Sequence, residues 1–308
     1  QELFFEIAKG EAGAALKQVR LKLDQGIAGW IATNSQPLII NDVSRDPRFF
    51  SQVDEQVGFV TRSIIGVPLL ARGKTIGVIE VLNKRDGSAF TTENLELLTA
   101  LAANAAMSID NARLFQAVLD GYLDTTTALA AAVEAKDPYT AGHVARVSAY
   151  CLETGEMLGL YGEEMTGLRY GAILHDVGKI GISDAILRKP APLSQEEFTV
   201  MTTHAAIGSD LVEGIRFLET ARLIIRHHHE AFDGSGYPDG LAGNTIPLGS
   251  RIIAVVDAFD AMTTDRPYRK ALTLEAAAAE LRKMTGRQFD GRMVEAFSRV
   301  LQRRGLLK

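Results

Sequence analysis

The placement of the histidines constrains this chain more than any other feature. All six histidines fall between residues 143 and 229, and none occurs in the first 142 residues. His175 stands beside Asp176 and His228 beside His229, and the first of these pairs ends an apolar stretch. Two adjacent hydrophilic side chains in such a place cost free energy unless a buried partner requires them. The fold must therefore bring imidazoles and carboxylates together, which is typical of a metal site.

The ordinary alternative is that these histidines are unrelated core or surface residues. We keep that interpretation for His227, because a single histidine is more often a packed residue than a ligand. For the other five it would require several independent coincidences of spacing. The pattern therefore predicts a cluster of catalytic metals, with these candidate ligands: His143, His175, Asp176, His204, His228, His229 and Asp257.

Several motifs of the second half resemble the HD-GYP family, a branch of the HD metal-dependent phosphohydrolases that hydrolyses the bacterial messenger cyclic di-GMP. They occur in the same order as in that family. The motifs are Asp137-Pro-Tyr-Thr-Ala-Gly-His143-Val-Ala-Arg146-Val147, His175-Asp176-Val-Gly-Lys179, His228-His229-Glu230-Ala-Phe-Asp233-Gly-Ser-Gly236-Tyr237-Pro238, and Asp257-Ala-Phe-Asp260-Ala261 followed by Arg266-Pro267-Tyr268.

The resemblance implies how the ligands are shared between metals. One metal would be held by His175, Asp176 and Asp257, and a second by His204, His228 and His229. Asp176 would bridge the two, and His143 would complete the first site or begin a third. Some family members hold three metals and carry a glutamate four residues before the first histidine, where this chain has Tyr139. We therefore expect two divalent metals, with a third as the alternative. Ligands without thiolate suit iron or manganese and do not exclude zinc or nickel.

The resemblance also implies catalytic and substrate-binding residues. Two metals would generate hydroxide and neutralise charge in the transition state of phosphodiester hydrolysis. Asp176 and Lys179 are the catalytic candidates, although Lys179 could instead be a solvated lysine at a helix end. Tyr237 could stack on guanine or belong to a simple turn, and the arginines suit a phosphate. The substrate-binding candidates are Gly236, Tyr237, Asp260, Arg266 and Arg269.

The first part of the chain has the alternation of apolar residues typical of strands. The predicted strands are Leu3–Ile7, Val19–Leu23, Pro37–Ile40, Ile64–Leu70 and Thr75–Leu82. Phrases in this region are similar to GAF domains, small sensory modules with a central antiparallel sheet: Gly26–Trp30, Ile40–Val43, Asp46–Phe49, Val67–Leu69 and Val81–Lys84. The resemblance lacks the usual first helix and strand, and the sequence starts at Gln1, so we expect preceding residues.

A GAF domain binds a small ligand or simply dimerises. This segment has no histidine and no cysteine, which disfavours haem and a thioether-linked bilin. Asn83-Lys84 keeps only the opening of a pattern found in some cyclic-nucleotide-binding members, so a strand-to-turn ending accounts for it at least as well. The identity of a GAF ligand stays unknown from the sequence.

A long helix is predicted between the two parts. Apolar residues recur at alternating spacings of three and four, which is typical of a coiled-coil seam and favours a parallel homodimer. The alternative is that the same stripe packs on its own domains. The stripe consists of Leu95, Leu98, Ala102, Ala105, Ile109, Ala112, Gln116, Leu119, Leu123, Thr126, Ala130 and Val133.

The second part is predicted to be all helical. Gly, Pro and Asp breaks separate candidate helices near 142–159, 163–175, 194–201, 205–213, 215–229, 249–263 and 273–285. The irregular stretch 232–248 directly follows the His228–His229 pair. Long structureless segments are uncommon inside compact domains and tend to be functional, so we expect this one to rim the metal pocket.

The predicted architecture is a multidomain chain. An α+β GAF domain with an antiparallel sheet and flanking helices spans 1–115, a connecting helix spans 91–134, and an all-α HD-GYP domain spans 120–308. A net charge of −5 without a basic stripe argues against duplex nucleic acid. A single cysteine and the lack of a long apolar run predict a cytoplasmic chain without a membrane span.

The expected function is hydrolysis of cyclic di-GMP to pGpG, GMP or both, regulated by the GAF domain. Two alternatives stay open. The metal domain could be a catalytically weak receptor for cyclic di-GMP, or it could act on another cyclic dinucleotide or on a phosphomonoester.

Overall fold

The computed structural model describes residues 2–10, 13–136, 142–265 and 270–307. The chain divides into two compact units, residues 1–119 and 120–308. The first contains small antiparallel sheets with helices, and the second is helical, so the predicted fold class is confirmed. None of the described helices combines the length and the apolar character that crossing a membrane requires.

All five predicted strands form, with ends that differ by a few residues. They are β1 (Glu2–Phe4), β2 (Arg20–Lys22), β3 (Leu38–Ile40), β4 (Ile64–Ala71) and β5 (Lys74–Leu82). Strands β1 and β2 make a two-stranded sheet, and β3, β4 and β5 make a three-stranded sheet in that order, all antiparallel. The β4–β5 hairpin turns through Arg72 and Gly73, which both have positive φ, as a tight two-residue hairpin turn requires.

Both faces of the three-stranded sheet are covered. The helices of this unit are α1 (Gly13–Leu16), α2 (Gly26–Asn34), α3 (Gln52–Val57) and the start of α4 (Thr92–Glu134). Ile27 and Ile31 of α2 pack on one face with Ile64, while Ala102 and Ala106 of α4 pack on the other with Val67. Successive side chains of β4 point to opposite faces of the sheet, so the strand contributes to two small cores.

Both ends of the stripe that we predicted as a dimer seam pack against other residues of the same chain. Leu95, Leu98 and Ala102 join the core behind the three-stranded sheet in the first unit. Ala130 and Val133 are buried in a core of the second unit. At these positions the stripe packs on its own units, as the alternative expected, whereas Ile109, Ala112, Gln116 and Leu119 in its middle are exposed and the seam stays a prediction there. Apolar periodicity shows that a helix face is buried but does not show whether its partner is the same chain or another.

The second unit contains the remainder of α4 and nine further helices in the described residues. These are α5 (His143–Met157), α6 (Gly162–Leu174), α7 (Asp184–Leu187), α8 (Gln195–Thr202), α9 (His204–Leu211), α10 (Glu219–His227), α11 (Leu248–Thr263), α12 (Leu274–Lys283) and α13 (Gly291–Arg303). All seven helices expected in this part form. Helices α7 and α13 were not predicted, although Met293, Phe297 and Leu301 of α13 are fully buried in the main core.

Two glycines bring the site-bearing segments together. A Cβ on Gly171 of α6 would lie 2.7 Å from the Cγ2 of Ile224 in α10, so these helices can cross closely only without a side chain there. A Cβ on Gly178 would lie 1.9 Å from the carbonyl oxygen of His204. The 3-10 turn Val177–Gly181 can therefore rest on the first turn of α9. Gly171 and Gly178 are four and three residues away from the candidate metal ligand His175 in the sequence.

The stretch 232–248 contains one 3-10 turn, Gly243–Thr245, and is otherwise irregular up to the start of α11 at Leu248. The buried Glu230 holds it in place: Oε1 accepts from the backbone N–H of Asp239 at 2.8 Å, and Oε2 from that of Leu241 at 3.1 Å. Arg226 forms two further hydrogen bonds with Asp239, at 2.7 and 2.8 Å. The loop is thus fixed against the end of α10, where His228 and His229 follow.

Candidate metal centre

The candidate ligands sit at helix ends, with one exception. His143 begins α5, His204 begins α9, and His228 directly follows α10. Asp257 is the exception and lies within α11. Helix ends suit ligands because they let polar side chains converge without interrupting the apolar packing of the helix interiors.

The structure brings all seven predicted ligands into two adjoining clusters. Within each cluster the ligand atoms lie within 4.8 Å of one another. One cluster contains His143, His175 and Asp257, and the other contains Asp176, His204, His228 and His229.

Backbone hydrogen bonds orient three of the imidazoles. The Nδ1 atoms of His175, His204 and His228 lie 2.9, 2.7 and 2.7 Å from the carbonyl oxygen three residues earlier. A carbonyl oxygen can only accept a hydrogen bond, so each Nδ1 carries the proton. The lone pair of each ring is then on Nε2, which is the tautomer that a metal ligand needs.

The distances between these nitrogens fit shared metals. The Nε2 atoms of His143 and His175 are 3.4 Å apart, and so are those of His204 and His228. Two ligands about 2.1 Å from one metal, at angles of about 90–109°, lie about 3.0–3.4 Å apart. In the His204–His228 pair both rings carry the lone pair on Nε2, so the two lone pairs repel at this distance, and a cation between them removes the repulsion. The donor set therefore fits a divalent metal in each cluster.

Asp176 faces both clusters. Its Oδ1 lies 3.4 Å from Nε2 of His204, and its Oδ2 lies 3.5 Å from Nε2 of His175. Burial would raise the pKa of this carboxyl, but the charge of Lys179 and the surrounding imidazoles outweigh it and hold the pKa well below the usual range. Asp176 is consequently a carboxylate at neutral pH, with one oxygen directed to each cluster.

The second cluster keeps its histidines neutral. Burial lowers the pKa of His204 and, more strongly, that of His228. Burial, together with the neighbouring His204, lowers the pKa of His229 to about 3. Metal ligation requires unprotonated imidazole, so these three side chains are ready to bind a cation without first losing a proton.

His143 is fixed by carboxylates on α11. Its Nδ1 lies 2.8 Å from Oδ2 of Asp260, and its Nε2 lies 3.4 Å from Oδ1 of Asp257. Burial would lower the pKa of His143, but the hydrogen bond to Asp260 and the charges of the nearby carboxylates, Asp257 first among them, together outweigh burial and raise the pKa. Asp257 and Asp260 are three residues apart, which places both on one face of the helix.

The position of Asp260 corrects the substrate contact that we predicted for it. Asp260 is only 3% exposed. Besides its bond to His143, it accepts hydrogen bonds from Nε and Nη2 of Arg146 at 2.6 and 2.9 Å. Both oxygens are thus used inside the protein. The side chain orients the His143 ring and does not face a substrate. Its partners, His143 and Arg146, precede it by 117 and 114 residues in the sequence.

Lys179 and Tyr237 lie next to the clusters. The Nζ of Lys179 donates to Oδ2 of Asp176 at 2.7 Å, so it is not a solvated helix-end lysine. The Tyr237 ring lies 4.9 Å from that of His229 and 6.2 Å from that of Phe198. Burial, with the charges of Asp176 and Asp257, raises the pKa of the Tyr237 hydroxyl, so it remains a hydrogen-bond donor at neutral pH.

Gly236 has a steric reason for being glycine. A Cβ at this position would lie 2.1 Å from the backbone nitrogen of Ala231 and 2.5 Å from Cα of Glu230. The loop crosses the chain too closely for any side chain. Three other positions of interest, Tyr139, Arg266 and Arg269, lie outside the described residues.

His227 belongs to a third group, with Glu230 and Asp239, whose ligand atoms are also close together. The oxygens of Glu230 already accept backbone N–H groups, and those of Asp239 are bonded to Arg226. This group fixes the 232–248 loop. Its arrangement agrees with the ordinary structural interpretation of His227.

Two polar residues at the site were missed from the sequence. Arg146 lies one turn after His143 and holds Asp260. Glu134 ends α4, and its Oε1 accepts the backbone N–H of His143 at 2.8 Å and of Val144 at 3.2 Å. The only signal in the sequence was an acidic residue shortly before a predicted helix start, which is too common to single out Glu134.

Comparisons with known proteins bear on both units. A family model described as HD domain matches residues 127–293, and one described as GAF domain matches residues 3–109. The chain is 46% identical over 178 residues to "Cyclic di-GMP phosphodiesterase response regulator RpfG" of Xanthomonas campestris pv. campestris, covering 57% of this chain and 47% of that protein. It is 36% identical over 202 residues to "3'3'-cGAMP-specific phosphodiesterase 2" of Vibrio cholerae, covering 65% and 39%.

The chain spans less than half the length of either relative. Among solved structures, it is similar to a cyclic GMP-AMP specific phosphodiesterase of V. cholerae, with 20% identity, a TM-score of 0.46, and coverage of 59% of this chain and 49% of that one. The HD domain match covers more than half of the sequence and contains every candidate ligand from His143 to Asp257. The chain therefore belongs to the HD domain family, and a GAF domain precedes its HD domain in the sequence.

Proposed function

We propose that this chain is a metal-dependent phosphodiesterase of the HD-GYP branch that hydrolyses cyclic di-GMP to pGpG, GMP or both. The main support for the proposal is the carboxylate of Asp176, which directs one oxygen to each of two adjoining ligand clusters. Its Oδ2 also accepts a hydrogen bond from Nζ of Lys179 at 2.7 Å. A phosphodiester resists hydrolysis because its anionic oxygens repel hydroxide. A bridged pair of divalent metals, when bound, activates water and neutralises that charge.

The two clusters would divide the metals between them. His143, His175 and Asp257 would hold one, His204, His228 and His229 the other, with Asp176 shared. The complete set is two imidazoles and two carboxylates on one side, and three imidazoles and one carboxylate on the other. Such nitrogen and oxygen ligation, without a cysteine, suits iron or manganese.

Lys179 would stabilise the developing negative charge. Its ammonium is held by Asp176 and lies beside the position where a phosphate would meet both clusters. A fixed positive charge in a partly buried site acts on the transition state without reorganising. It would also keep Asp176 deprotonated in the absence of a substrate.

The nucleotide would be bound around the 232–248 loop. Tyr237 presents a ring and a protonated hydroxyl beside His229, which suits stacking on a base or a hydrogen bond to it. Arg266 and Arg269, which follow the α11 helix in the sequence, would pair with the second phosphate. Gly236 would shape the loop rather than touch the nucleotide.

The identity of the nucleotide is supported by the relatives. The relative at 46% identity is named a cyclic di-GMP phosphodiesterase. A second candidate substrate is 3'3'-cGAMP, because the relative at 36% identity is named for it. The two nucleotides differ in one base, so discrimination would depend on contacts to that base.

Turnover of the two nucleotides tests the proposal. Protein loaded with Mn²⁺ or Fe²⁺, with metal content measured, is incubated with cyclic di-GMP or 3'3'-cGAMP, and the products are separated by chromatography. We expect pGpG or GMP from cyclic di-GMP and a lower kcat/KM for 3'3'-cGAMP. The reverse ranking would transfer the activity to 3'3'-cGAMP. Tight binding of cyclic di-GMP in calorimetry without any product from metal-replete protein would mean a receptor.

We further propose that the chain forms a homodimer, through a face of α4 other than the one that the apolar periodicity favoured. In the first unit, positions 97, 101, 104, 108, 111, 115 and 118 alternate in spacing between four and three, as a heptad seam does. Four of them are large, apolar and exposed: Leu97 (63%), Leu101 (55%), Phe115 (66%) and Val118 (51%).

The rest of this stripe also fits a second copy of the chain. Asn104, Ser108 and Asn111 occupy its middle and are exposed. Asparagine at a seam position fixes register and favours pairing between identical helices. The nearby charged residues Glu96, Asp110 and Arg113 lie outside the stripe. A ligand bound to the GAF domain of such a dimer would be the regulatory input, and its identity is unknown.

Charge introduced into the stripe should separate the dimer. We expect wild-type protein at tens of micromolar to scatter light as a dimer and the Leu101→Glu, Phe115→Glu double variant as a monomer. Ala103→Glu is the matched control, because Ala103 is exposed on the same helix but outside the stripe. A dimeric double variant, or a monomeric wild type, would refute this interface.

A further inference from the structure

The first turn of α5 has no cap from its own N-cap residue. Gly142 is the N-cap, has a left-handed φ of 72°, and carries no side chain that could accept a hydrogen bond. The first backbone N–H groups of a helix have no partner within the helix and need one elsewhere. In α5 these include the N–H groups of His143, a candidate metal ligand, and of Val144.

Glu134 supplies that partner from another helix. Its Oε1 accepts both N–H groups, at 2.8 Å from His143 and 3.2 Å from Val144. A carboxylate at a helix N-terminus is also favoured by the helix dipole. The backbone of His143 is therefore held by Glu134, while its ring is held by Asp260 at 2.8 Å.

Buried residues of the same helix turn fix the position of Glu134. It is the last residue of α4, and the preceding Ala130 and Val133 are buried in a core with Val144, Ile173 and Val177. Apolar contacts and the hydrogen bonds thus join the end of α4 to the start of α5. A displacement of one would be passed to the other.

The end of α4 also borders the metal centre. A small cavity is lined on one side by Ala130, Val133 and Glu134, and on the other by His143, Asp176 and Lys179. Glu134 therefore lines the same cavity as Asp176 and Lys179, the two catalytic candidates, although it belongs to neither ligand cluster.

We propose that Glu134 is a positioning residue that sets the backbone of His143, and thereby the geometry of the first ligand cluster, from the end of the long helix. This inference rests on the proposed metal centre but not on the identity of the substrate. Because α4 begins in the first unit, a change in that helix would reach a metal ligand through Glu134 together with the apolar contacts of Ala130 and Val133.

Metal affinity tests the proposal independently of turnover. In Glu134→Ala we expect one Mn²⁺ to bind about tenfold or more weakly than in the wild type, as is usual when a group that orients a ligand is lost, while the second Mn²⁺ is retained. Glu134→Gln keeps an acceptor oxygen and should restore most of the affinity. In an active enzyme the alanine variant should lower kcat with little change in KM.

The matched control is Glu163→Ala. Glu163 is an exposed carboxylate in the first turn of α6, which ends rather than begins at a metal ligand. Circular dichroism and the unfolding temperature show whether each variant is folded. A folded Glu134→Ala with wild-type Mn²⁺ affinity at both sites would overturn the proposal, and so would an equal loss in Glu163→Ala. Absence of turnover in the wild type, with this affinity pattern intact, would instead count against the proposed function.

Discussion

Replacing Asp176 with alanine is expected to remove most of the bound metal and all phosphodiesterase activity while leaving the helical fold in place. Asp176 directs one oxygen toward each cluster, so its loss weakens both sites at once. The side chain is also the partner of Lys179, whose ammonium would be left without its carboxylate. Elemental analysis, turnover of cyclic di-GMP and circular dichroism measure the three parts of this expectation.

Lys179→Met is the matched control, because it keeps most of the unbranched side chain and removes the ammonium group that donates to Asp176. We expect it to retain both metals and to lose about 10²–10³-fold in kcat, the usual effect of removing one group that stabilises transition-state charge. The pair of variants therefore separates metal binding from catalysis. Wild-type metal content in Asp176→Ala would refute the bridging assignment, and full activity in Lys179→Met would refute the role of the lysine.

The second expected effect concerns the stability of the first unit. Glu80 lies on β5 opposite Gly66, on the sheet face that packs against α2, and its Oε1 is buried without a hydrogen-bond partner in the described part of the chain. Burial raises the pKa of this carboxyl from 4.5 to about 7. The native state thus binds a proton more tightly than the unfolded state does.

The sign of the pH dependence follows from this difference. Between pH 4.5 and about 7 the native state holds more protons, so the free energy of unfolding falls as the pH rises through this window and stays at its lower value above it. The raised pKa corresponds to about 3 kcal/mol. Glu80→Gln cannot ionise, so we expect it to be more stable than the wild type by up to this amount at pH 8 and similar to it at pH 5.

Calorimetry of the full chain between pH 5 and pH 8 measures this difference in the unfolding transition of the first unit. Glu55→Gln, at an exposed position of the same unit, controls for the change in net charge and should leave the pH dependence unaltered. Equal pH dependence in the wild type and in Glu80→Gln would show that the carboxyl is solvated.

Sequence patterns determined the residue types of the site and the kinds of element that carry them. His175, Asp176 and His228 stood out because a polar pair at the end of an apolar segment is costly unless it has a buried partner. Strand and helix periods located all five strands and all seven predicted helices, because burial of one face is a local property of the chain. The HD and GAF resemblances added the order of the domains.

The tertiary structure decided how those residues are used. Asp260 orients His143 rather than facing a substrate, and Glu134 caps α5 from another helix, because hydrogen bonds form between whichever groups the packing brings together. The apolar stripe on α4 likewise shows only that a face is buried, and the packing of Ala102 and Ala130 within their own units identified its partner. Periodicity reveals which residues face inward, whereas the identity of the neighbour depends on contacts that no local pattern encodes.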